Sequence, residues 1–75
     1  MAQEKLTISN TIRALRFATD EMTQQALADR VGVSRQTINA IEAAKYSPSL
    51  EVAFRIARVF GKRLDEVFEC LPKPG

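Results

Sequence analysis

Residues 27–42 read LADRVGVSRQTINAIE. A single glycine, Gly32, stands between Val31 and Val33, with an amphipathic stretch on either side. Before it, Leu27, Ala28 and Val31 fall on one helical face; after it, Ile38 and Ile41 do. Gly32 follows the last turn of the first stretch and takes the left-handed conformation that ends a helix cheaply. Two helices crossing at a steep angle need a turn of three or four residues, often containing Gly. The flanking valines pin that turn to a core, and the small Ala28 lets the two helices approach closely.

The second stretch carries the chemistry. Projected at about 100° per residue, residues 34–43 turn Ile38 and Ile41 inward and Gln36, Asn39, Ala40 and Ala43 outward. Arg35, Thr37 and Glu42 lie on the flanks. This outward face lacks the Lys and Glu of a solubility face. Amide side chains can bond adenine N6 and N7 bidentately, and arginine can do the same to guanine O6 and N7. Alanine admits close approach and touches a thymine methyl. The free backbone N–H groups at the starts of the second and third helices attract phosphate oxygens. Gln24 and Gln25 stand at the first of these starts, and Ser34 caps the other. Outward Gln and Asn are also ordinary surface residues, so projection alone leaves a solvated face as the alternative.

Working outward, 75 residues make one small domain, which buries only about 60% of its unfolded surface. Cys70 is the single cysteine, so no internal disulfide forms, and the absence of histidine removes the usual zinc sites. No cofactor is implied. Cys70 reads as a half-buried small apolar residue. With 11 Lys and Arg against 9 Asp and Glu, the net charge of +2 favours no partner unless the basic residues gather on one face. No apolar run approaches the ~20 residues of a membrane span, and MAQEKLTISN lacks a signal-peptide core. The expectation is a cytoplasmic protein without a membrane partner.

The remaining segments are also helical in pattern. Asn10 or Ser9 caps a first helix with Ile12 and Leu15 inside, stopping near Thr19 and Asp20. Thr23 caps the second helix; Ala26 replaces the Glu of a full capping box. The third runs to about Ala43. Ser49 caps a fourth that ends at Gly61, and a short fifth runs from Leu64 or Asp65 to about Glu69. On the fourth, Leu50, Ala53, Phe54 and Ala57 share one face, while Val52, Ile56 and Val59 form a second stripe. A helix this apolar has to be covered on most sides. Leu6 and Ile8 alternate with Lys5 and Thr7, a weak pattern for a short edge strand. Five short helices and no strongly patterned strand indicate an all-α domain. An N-terminal arm at 1–9, a domain at 10–69 and a tail at 70–75 follow.

The ordered set Gln24, Leu27, Ala28, Val31, Gly32, Val33, Ser34, Ile38, Ile41 and Glu42 resembles the helix-turn-helix of the phage-repressor and Cro-like (XRE) family. The likeness continues through AIEAAKYSPSLEVAFRIARVFG and covers residues 10–69. It is similar above all to small stand-alone bacterial regulators. The resemblance implies a compact five-helix, lambda-repressor-like domain that binds operator DNA, usually as a dimer. By position it implies that Arg35, Gln36 and Ala40 read base edges, with Asn39 beside them. It likewise gives phosphate contacts to Gln24, Thr37, Lys45, Tyr46 and Ser47, joined by Gln25 and Ser34 at the two helix starts. Arg16 and Glu42 would form a structural ion pair. This chain departs from the family pattern at Ala44, where Gly is usual, and in FATDEMTQ, about one residue longer than the common form with Asp20 at a turn.

The function expected is therefore sequence-specific regulation of transcription on double-stranded DNA, with a recognition helix at about 35–43 and a homodimer on a palindromic operator. The dimer contact is expected on Val52, Ile56, Val59, Leu64, Val67, Phe68 and Leu71, with Leu64 and Phe68 claimed by the core. The alternative from another class is an antitoxin-type interaction module that neutralises a toxin partner; a neighbouring toxin gene would favour it. An enzyme is not expected, because no nucleophile–base pair is evident and Asp65, Glu66 and Glu69 read as a solvated helix face. No small-molecule substrate is evident.

Overall fold

In a computed structural model, which describes residues 6–71, the chain runs through seven elements. They are β1 (Thr7–Asn10), α1 (Ile12–Ala18), α2 (Gln24–Val31), α3 (Arg35–Glu42), α4 (Leu50–Val59), α5 (Leu64–Val67) and β2 (Phe68–Leu71). The outer parts of the expected arm and tail, residues 1–5 and 72–75, lie outside the described residues.

The three longest helices start in the same way. Thr23, Ser34 and Ser49 are extended, and each hydroxyl accepts the N–H three residues on, from Ala26, Thr37 and Val52. One donor of each first turn is thereby satisfied. Gly32 ends α2 at φ +86°, its N–H bonded to the Ala28 carbonyl at 2.8 Å. The guanidinium of Arg55, reaching from α4, donates to the Val31 carbonyl at 3.2 Å and also pairs with Glu51, so α4 closes over the turn. The core gathers where these helices meet, around Ile12, Leu27, Val31, Ile38, Ile41, Ile56 and Val67.

The fold is not strictly all-α. β1 and β2 form a two-stranded antiparallel sheet with Thr7 opposite Leu71, Ile8 opposite Cys70, Ser9 opposite Glu69 and Asn10 opposite Phe68. The pairing joins segments some sixty residues apart in sequence, which local patterning does not encode. It also cuts the fifth helix to one turn: Phe68 is already extended at φ −119°, so Glu69 lies in a strand and not on a helix face. Cys70 is exposed there, not half-buried.

The first helix begins one residue later than expected. Thr11 occupies the cap position without a side-chain bond to the helix; its hydroxyl donates to the Glu66 carbonyl at 2.9 Å. Asn10 still serves α1, because its Oδ1 accepts the Ile12 N–H at 3.2 Å. Its Nδ2 meanwhile donates to the Ile41 carbonyl at 2.9 Å. One side chain therefore ties β1, the start of α1 and the end of α3 together.

The two departures from the common pattern both take left-handed backbone. Ala44 sits at φ +59°, where a Cβ costs about 1–2 kcal/mol, and the following Lys45 N–H closes on the Ala40 carbonyl at 2.9 Å. Asp20 and Glu21 stand at φ +55° and +52°, making the turn that carries the longer segment into α2.

On α4, Ala53, Ile56 and Ala57 are buried, but Leu50 and Phe54 are 67% and 48% exposed. The apolar face that was expected to be covered is half open. Of the expected dimer residues, Ile56 and Val67 belong to the core, because both point between the helices and are about fully buried.

Candidate nucleic-acid interface

The site is built on the cross between α2 and α3, which pack against each other. With Ile38 and Ile41 buried beneath it, α3 is held by one face. The opposite face leaves Arg35, Gln36, Asn39 and Ala43 exposed and Ala40 half-buried. Nothing along this face carries a like-charge crowd, and its alanines leave the helix backbone close to the surface.

The flanks are organised by short hydrogen bonds. Ser34 and Thr37 hydroxyls meet at 2.9 Å at the start of α3, so both polar groups are fixed at that helix end. Asn39 Nδ2 reaches Gln24 Oε1 at 3.4 Å, which joins the outward face of α3 to the first residue of α2. That contact uses the acceptor of the Gln24 amide and leaves its Nε2 donors out of the bond. Gln25 is different: its amide lies along α2 and donates to Asp29 at 2.8 Å. It stands at the start of α2 but is engaged with a carboxylate.

Lys45, Tyr46 and Ser47 follow Ala44 in the loop after α3, and all three are exposed. Tyr46, 54% exposed, is not packed under the loop. Arg16 and Glu42 meet beneath the site. Arg16 Nε and Nη2 donate to the two carboxylate oxygens of Glu42 at 2.7 and 3.0 Å. The remaining Arg16 Nη1 donates to the Met22 carbonyl at 2.7 Å. This bidentate geometry fixes the angle between α1 and the end of α3.

Two residues near the site were absent from the sequence reading. Arg13 and Phe17, both exposed on α1, line one concavity with Gln24, Asn39 and Ala43. The Arg13 guanidinium lies 5.7 Å from the centroid of the Phe17 ring. Their i, i+4 spacing on α1 was available in the sequence, but nothing local shows which element that face of the helix borders.

A helix-turn-helix family model matches residues 20–67. Over 51 residues, 68% of this chain and 77% of the relative, the sequence is 53% identical to an uncharacterized HTH-type transcriptional regulator of Methanocaldococcus jannaschii. Over 61 residues, 81% of this chain and 91% of the relative, it is 39% identical to the uncharacterized HTH-type transcriptional regulator YgzD of Bacillus subtilis. The fold is shared with a protein from Bacteroides fragilis whose crystal structure is known. The TM-score is 0.70 at 24% identity, covering 83% of this chain and 98% of that one. Among the described residues no helix is long and apolar enough to cross a membrane. By its matched motif and its relatives, the chain belongs to the XRE/Cro-like helix-turn-helix family of transcriptional regulators.

Proposed function

We propose that this protein is a sequence-specific regulator that lays α3 in the major groove of double-stranded DNA. The supporting observation is the uncovered face of α3, with Arg35, Gln36 and Asn39 exposed opposite a fully buried Ile38. In this reading Arg35, Gln36, Asn39 and Ala40 meet base edges. Gln24, Ser34, Thr37, Lys45, Tyr46 and Ser47 hold phosphates and set the register. Gln25 joins them with the amide N–H that its bond to Asp29 leaves over. The DNA-binding unit is residues 10–69, braced at its base by the β1–β2 pairing.

One such module buries about 600–1,000 Å² on DNA, a modest interface. A homodimer on a palindromic operator doubles it, with half-sites about 34–36 Å apart. The dimer surface proposed is the apolar patch of Ile8, Leu50 and Phe54, bordered by half-buried Leu64 and Phe68. It keeps Leu64 and Phe68 of the residues expected from sequence and replaces the rest: Ile56 and Val67 are buried, Val52 and Val59 pack against the core, and Leu71 lies on the sheet face opposite Ile8. Selection of bound duplexes from a random pool at two salt concentrations tests the reading. An enriched palindrome whose binding falls steeply with salt supports it; a pool that stays random at low salt refutes it.

A further inference from the structure

The concavity beside α3 holds three charged side chains from the described residues. Two of them, Arg16 and Glu42, neutralise each other through two hydrogen bonds. The third, Arg13, makes no ion pair among the described residues and is exposed. Its guanidinium is held against the ring of Phe17, which itself is 54% exposed. An aromatic face holding a cation limits its freedom and leaves its N–H edge open to an anion. The same concavity is lined by Gln24 and Asn39, which touch each other. A guanidinium without an ion pair among the described residues and the Gln24 amide therefore line one hollow next to the outward face of α3.

We propose that Arg13, oriented by Phe17, binds a backbone phosphate of the duplex at the edge of the groove occupied by α3, and so extends the DNA contact onto α1. The proposal rests on the DNA-binding reading above and adds a residue to it. The occupant fits by charge: a planar guanidinium matches a phosphate's paired oxygens bidentately. Such a contact fixes position without reading sequence.

The test is the salt dependence of binding to the selected duplex and to a random duplex, for wild type, Arg13→Gln and Arg13→Lys. Each phosphate contact contributes about 0.9 to the slope of log affinity against log salt. Arg13→Gln is expected to lower that slope by about 0.9 on both duplexes, so that a fourfold rise in salt costs the variant about threefold less affinity than the wild type. Arg13→Lys keeps the charge and is expected to keep the slope. The melting temperatures should agree, since Arg13 is exposed. An unchanged slope in Arg13→Gln overturns the proposal while leaving the regulator reading intact. A wild type that binds no duplex overturns both.

Discussion

Arg16 and Glu42 form a two-pronged ion pair that is nearly closed to solvent, with side chains 10% and 9% exposed. It joins α1 to the last residue of α3, and so sets the tilt of the helix proposed to read DNA. Breaking such a pair by removing one partner strands a charge in low dielectric and costs about 3–5 kcal/mol. Arg16→Leu is therefore expected to lose that much stability in urea unfolding. The double variant Arg16→Leu with Glu42→Leu should recover most of the loss. Equal losses in the single and double variants would contradict this account.

Ala44 stands in left-handed backbone at φ +59°. Removing its Cβ relieves about 1–2 kcal/mol of steric cost, while the freer unfolded chain of a glycine takes back about 0.4–1 kcal/mol. Ala44→Gly is expected to stabilise the protein by about 0.5–1 kcal/mol, seen as a raised melting temperature. A lowered one would mean that the methyl group packs usefully.

Gln36 and Lys45 should separate base reading from phosphate binding. Gln36→Ala is expected to cost about 1–3 kcal/mol on the selected duplex and little on a random one, which relaxes the preference at one base. Lys45→Ala should weaken both alike and lower the salt slope by about one. Competition binding with the two duplexes measures both effects. If Gln36→Ala weakened both duplexes equally, its role would be phosphate binding.

Leu50 and Phe54 are the most open apolar residues of α4. If they lie in a dimer contact, Phe54→Glu and Leu50→Glu should give a monomer of unchanged helicity by sedimentation equilibrium. Binding to a palindrome should then fall toward that of a single half-site. A wild type that is already monomeric at high concentration would remove the dimer from the account.

The helix starts and the central turn were legible in the sequence because each is local. Thr23, Ser34 and Ser49 bond to an N–H three residues away, and Gly32 needs only its own backbone freedom. The outward face of α3 was legible for the same reason, since Ile38 and Ile41 orient it. What escaped depends on distant partners. TISN and FECL pair across the whole chain. Leu50 and Phe54 match the periodicity of the buried Ala53 and Ala57, yet among the described residues no element covers them. Arg13 and Phe17 gain meaning only once α1 is known to border Gln24 and Asn39.

The central claim is that the face of α3 opposite Ile38 and Ile41 enters the groove. Titrating the ¹⁵N-labelled protein with its selected duplex and following amide and side-chain resonances tests this most directly. The largest shifts are expected at Arg35, Gln36, Asn39 and Ala40, with Gln24 and the 45–47 loop next. Shifts confined to Ile8, Leu50 and Phe54, with α3 unmoved, would contradict it.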